Sequence, residues 1–94
     1  WILEQIRADP GDQRAWRLFV ARYERRILDW CRCRGLQKAD AEDVAQDVLL
    51  VLSRQLPGFM PAPSGSVRAW VRRITDRAGL RQLEHRRRLG VVID

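Results

Sequence analysis

The sequence predicts an all-α domain, a compact bundle of about four helices. Three observations carry that expectation. Apolar residues recur at three- and four-residue spacing through residues 12–34, 40–56 and 67–88. Clusters of Pro, Gly and Asp fall between those stretches and break them. No stretch alternates apolar and polar residues as a half-buried strand would, and no internal repeat is evident.

Residues 1–8 read as a short helix with Ile2, Leu3 and Ile6 on one side, ended by Asp9-Pro10-Gly11. Asp12 then stands as the cap of a long helix running to Arg34. Its expected buried stripe is Trp16, Phe19, Val20, Tyr23, Ile27, Trp30 and Cys31. Arg14, Arg17, Arg22, Arg25, Arg26 and Asp29 fall between them as a solvated face. Gly35 follows as a left-handed C-cap.

The third helix is expected over 40–56, with Asp40 capping it and Val44, Ala45, Val48, Leu49, Leu52 and Leu56 facing inward. Glu42 and Asp43 lie where the helix dipole favours carboxylates. Asp43, Gln46, Asp47, Leu50 and Arg54 line one outward edge. Spacing alone leaves two readings of this edge: a solvated helix face, or a surface that meets another protein. Pro57-Gly58 stops the helix, and residues 57–66 hold too many prolines and glycines for regular structure. Phe59 and Met60 in that loop either tuck under the core or line a pocket.

Ser66 caps the fourth helix, expected from Val67 to about Arg88, with Val67, Trp70, Val71, Ile74, Ala78, Leu80 and Leu83 as its inner stripe. Arg68, Arg72, Arg73 and Arg77 face outward in two adjacent rows, and Arg86-Arg87-Arg88 add charge at the end. These rows suit a phosphate-tracking surface, or simply a solvated face. Gly79 weakens the helix and marks a candidate close contact.

Ninety-four residues make one core. There is no run apolar enough to span a membrane and no signal peptide, so a cytoplasmic protein is expected. The chain opens on Trp1 rather than Met, as a fragment would. The net charge is +6 and unevenly placed: residues 57–94 carry eight basic and three acidic side chains. A basic C-terminal half suits a polyanion, most simply nucleic acid. Cys31 and Cys33 point about 200° apart on a helix, wrong for a shared metal or a disulfide. His85 sits in an Arg-rich run, and no nucleophile with a base, no carboxylate pair and no phosphate loop is present. No enzyme, cofactor or metal site is expected.

The order of pieces is more specific than any one of them. DAEDVAQDVLL, then the Pro/Gly loop, then SVRAWVRRI, then an Arg-rich run resembles region 2 of the sigma-70 family of bacterial transcription initiation factors, especially the extracytoplasmic-function group. The resemblance covers nearly the whole chain. It implies a region 2 domain over 1–89, with 90–94 starting a linker to an absent C-terminal helix-turn-helix domain. It also implies that Asp43, Gln46, Asp47 and Leu50 bind the clamp helices of the beta-prime subunit of RNA polymerase core. By the same resemblance, Phe59, Ser66, Arg68, Trp70, Arg72, Arg73 and Arg77 recognise and melt the promoter minus-ten element, capturing a flipped base of the non-template strand. An anti-sigma factor is a further partner the resemblance allows. Unpaired bases need a pocket, and a single-stranded backbone needs guanidinium partners, so the chemistry agrees. The chain departs from the family where Arg77 replaces a common Asn, where Arg81 stands at an often acidic place, and where Asp76 stands at an often basic one. Those departures motivate an alternative: a helical protein-interaction module with the same fold that has lost promoter reading.

Overall fold

A computed structural model describes residues 2–58 and 66–90. Four helices follow one another: α1 (Ile2–Ala8), α2 (Gln13–Cys33), α3 (Lys38–Gln55) and α4 (Val67–Arg88), with a 3-10 turn at Leu56–Gly58 after α3. No strand occurs among the described residues. Trp1, the loop with Phe59 and Met60, and the expected linker beyond Gly90 lie outside the described residues.

The helix boundaries have local causes. Asp12 Oδ1 accepts from the amides of Arg14 and Ala15 and starts α2. Gln5 of α1 donates to the other oxygen of Asp12, and with the amide bonds holds that carboxyl below its usual range. Gly35 ends α2 at φ +96°, a conformation that costs an L side chain but not glycine. Ser66 Oγ accepts from the amide of Ala69 and starts α4.

One expectation is corrected. Asp40 does not cap α3. The helix begins two residues earlier, with Gln37 at its N-cap making no side-chain bond. Asp40 is instead buried in the first turn, and its Oδ1 accepts from Arg86 Nη2 near the end of α4. An ion partner across the bundle outcompetes the local amides for this carboxylate.

The core is one cluster. Phe19, Ile27 and Cys31 of α2 meet Val44, Val48 and Leu52 of α3 and Val71 of α4, with Leu36 and Leu56 closing the two ends. Ile27, Leu52 and Leu56 are fully shielded, and burial of each side chain contributes about 1.5–3 kcal/mol. The stripes are narrower than the sequence suggested. Trp16, Val20 and Trp30 on α2 and Val67, Trp70, Ile74, Ala78 and Leu83 on α4 only pack against the core's edge, and Leu80 is exposed. Thr75 takes an interior place and satisfies its hydroxyl on the Val71 carbonyl at 2.8 Å. α3 packs against both α2 and α4, and α2 also touches α4. Glu24 and Leu28 share a groove with residues up to Gln46, Leu28 and Arg32 share the next one with residues back to Lys38, and Asp40 meets Arg86, so α3 runs against both neighbours. α2 and α4 therefore run in the same sense. α1 caps this bundle against α2 and the 3-10 turn.

Gly79 is buried, and a Cβ built on it would meet Leu36 Cδ1 at 3.9 Å, an ordinary contact. The glycine is not demanded by space. Gly79→Ala is expected to stabilise the domain by about 1 kcal/mol, read as a higher urea midpoint with an unchanged slope. A lower midpoint would mean that the α4 backbone must approach Leu36 more closely than this.

The two cysteines differ. Cys31 is buried, and that burial, helped by the charge of Asp76, pushes its thiol up to about 11. Cys33 is exposed. A thiol reagent is expected to label Cys33 quickly and Cys31 only through unfolding. The unfolded thiol ionises near 9.0 and the folded one near 11, so this group's contribution is intact below pH 9 and fades as pH rises between those values. Two fast thiols in the native domain would contradict this burial.

Candidate functional site

Two surfaces flank the α3–α4 pair. The first is the outer edge of α3. Asp43, Gln46, Asp47 and Leu50 are all exposed, and Leu50 keeps 52% of its surface open. Neither Asp43 nor Asp47 makes an ion pair among the described residues. A shallow groove of about 390 Å³ runs beside this edge, lined by Glu24, Leu28, Glu42, Asp43, Ala45 and Gln46. It carries three carboxylates around a leucine, with no cation lining it. Such a face suits a basic helix with an apolar residue for the leucine to meet. Glu24 and Leu28 extend the expected edge onto α2. Their i, i+4 spacing was visible, but their partner helix was not.

The second is a groove of about 460 Å³ between α3 and α4, lined by Val51, Gln55, Trp70, Arg73, Ile74, Arg77 and Arg81. Trp70, Ile74 and Val51 give it apolar walls. Arg73, Arg77 and Arg81 line it with guanidinium groups that have no ion-pair partner among the described residues. The space would accept a flat base, and the charges would attract a phosphate.

The expected nucleic-acid set divides in two. Trp70, Arg73 and Arg77 come together in this groove, joined by Arg81, Val51 and Gln55. Arg68 and Arg72 lie on the other side of α4, because residues four apart follow one edge while 72 and 73 diverge by 100°. Arg72 is drawn toward α2, with its guanidinium 5.6 Å from the Trp30 ring and 3.9 Å from Asp76. Ser66 is exposed and engaged as the α4 cap. Phe59 lies outside the described residues.

Asp76 explains itself in this setting. Arg34, the C-cap residue of α2, grips it twice, by a hydrogen bond from Nε to Oδ1 at 3.2 Å and an ion-pair contact of Nη2 with Oδ2 at 3.1 Å. The hydrogen bond and the carboxylate's charge raise the Arg34 pKa further. The acid therefore faces α2 and does not line the groove.

A family model described as sigma-70 region 2 matches residues 19–89. The chain belongs to the sigma-70 family. The match takes in α3 and α4 whole and α2 from Phe19 onward. No curated protein matches the chain. Sigma region 2 is part of a non-catalytic transcription initiation factor that works with RNA polymerase core and promoter DNA. No helix of this sigma domain is long and apolar enough to cross a membrane among the described residues.

Proposed function

We propose that this domain docks on RNA polymerase core through the acidic edge of α3 and holds the opened non-template strand of the minus-ten element in the α3–α4 groove. Asp43, Gln46, Asp47 and Leu50 meet the clamp helices of the beta-prime subunit. Trp70 packs beside an extruded base, and Arg73, Arg77 and Arg81 neutralise the backbone. The observation that carries this reading is the collection in one groove of three guanidinium groups that have no ion-pair partner among the described residues, beside the Trp70 ring. Opening the duplex costs unstacking energy, which contacts made only to the single strand offset.

The rival reading, an interaction module that has lost promoter reading, leans on Asp76 and Arg77. Asp76 is neutralised by Arg34 on the far side of α4, so it does not repel a strand in the groove. Arg77 adds a cation to the groove rather than removing one. Both observations favour the first reading.

The test is binding of a labelled non-template minus-ten oligonucleotide, followed by anisotropy across a salt series. Arg73→Ala and Arg77→Ala are each expected to weaken binding about tenfold and to flatten the salt slope by about 0.7. Binding unaltered in both variants would remove the groove from promoter recognition and favour the interaction module.

A further inference from the structure

The α3–α4 groove divides its chemistry along its length. Gln55 is the last residue of α3 and Trp70 lies in the first turn of α4, so the antiparallel pair brings both to one end of the groove. Arg73, Arg77 and Arg81 follow from there about one turn apart, down a single edge of α4. One end therefore offers an aromatic ring and an amide, and the rest offers a row of cations.

The lining side chains differ in what they can bond. A guanidinium group carries donors alone, and so does an indole. Val51 and Ile74 carry neither donor nor acceptor in their side chains. Gln55 is the one lining side chain among the described residues that can accept as well as donate. It is exposed, and its amide bonds no other group among the described residues. Asp76 does not serve in its place, because Arg34 holds that carboxylate toward α2.

We infer that Gln55 is a base-reading residue of the groove, selecting an unpaired base that carries an exocyclic amine beside a ring-nitrogen acceptor, the edge that adenine and cytosine share. The inference rests on the strand being held in this groove and adds what the groove distinguishes. Stacking beside Trp70 tolerates any base, since every base has a π-face. Discrimination therefore falls to the groups that reach the base edge. An amine placed among guanidinium groups alone finds no acceptor, and it forfeits the bond it made to water. Gln55 Oε1 accepts from that amine while Nε2 donates to the ring nitrogen, the paired bonds by which a glutamine takes adenine in a duplex. Thymine has no amine to give. Guanine sets a ring N–H beside its amine on the pairing edge, so Nε2 meets a second donor there.

The test uses short single-stranded oligothymidylate probes that carry one central guest base, titrated by anisotropy. The guests are adenine and purine, then cytosine and 2-pyrimidinone, pairs that differ only by the amine. The native domain is expected to bind each amine-bearing guest about tenfold more tightly than its partner. Gln55→Met, close in size and without the amide, is expected to abolish that ratio and leave binding of the purine probe unchanged. Arg77→Ala is expected to weaken all four probes alike and keep the ratio. No preference for the amine in the native domain, or the same preference in Gln55→Met, overturns the inference. Equal weakening of all four probes by Gln55→Met also overturns it, because the amide would then be bonding the backbone. In each of those cases a loss in Arg77→Ala keeps the groove as the strand site. Probes that bind Arg77→Ala as tightly as the native domain would instead remove the groove reading, and the inference with it.

Discussion

Arg86→Met is expected to destabilise the domain by about 3 kcal/mol, read from urea unfolding. Its partner Asp40 is 4% exposed, and Arg86 is the only side chain that bonds it among the described residues. Removing the arginine leaves a carboxylate buried without a partner, and such uncompensated charges cost about 3–5 kcal/mol. The lower end applies because Arg86 keeps 35% of its side chain open, so water reaches one side of the pair. Asp40→Asn should cost less, since the freed guanidinium can turn outward to solvent. The double variant Asp40→Asn with Arg86→Met should recover most of the loss, because no buried charge is then left alone. Equal losses in the two single variants would contradict this asymmetry. The pair ties the last turns of α4 to the first turn of α3. Those turns of α4 carry Arg86, Arg87 and Arg88, and among the described residues only the first of these is anchored to the bundle by an ion pair.

Asp47→Arg is expected to weaken binding to polymerase core about 100-fold, equivalent to about 2.7 kcal/mol. The substitution replaces an acid of the α3 edge, one without an ion-pair partner among the described residues, with a like charge for a basic partner. Gln46→Ala removes a neutral contact and should cost about tenfold. Both positions are exposed, so the unfolding midpoint should shift by no more than about 0.5 kcal/mol in stability. A large loss of stability would instead assign these side chains a structural part that the fold gives them no means to play.

Much of this was legible from local chemistry. Asp12, Gly35 and Ser66 set helix ends with groups that lie within three residues of them, so their spacing in the chain was enough. The all-α class followed from periodicity in α2, α3 and α4. Asp40 misled because its partner lies 46 residues away, and nothing near it in sequence announces a bond to Arg86. The bond that holds Asp76 was hidden for the same reason, its partner Arg34 being 42 residues distant. Of the groove, the α4 half was readable from the 73, 77, 81 spacing. Val51 and Gln55 were not, since they join it only once α3 runs against α4. The separation of Arg72 from Arg73 was available in the 100° turn per residue, but the stacking of Arg72 on Trp30 was not.

The central claim is that polymerase and promoter strand are held by different faces of the same helix pair. The most direct measurement compares Asp47→Arg and Arg77→Ala in parallel titrations with polymerase core and with the non-template oligonucleotide. The account predicts that Asp47→Arg loses core binding and keeps the oligonucleotide, while Arg77→Ala does the reverse. Core binding by Asp47→Arg at wild-type strength, or loss of both ligands in either folded variant, would contradict it.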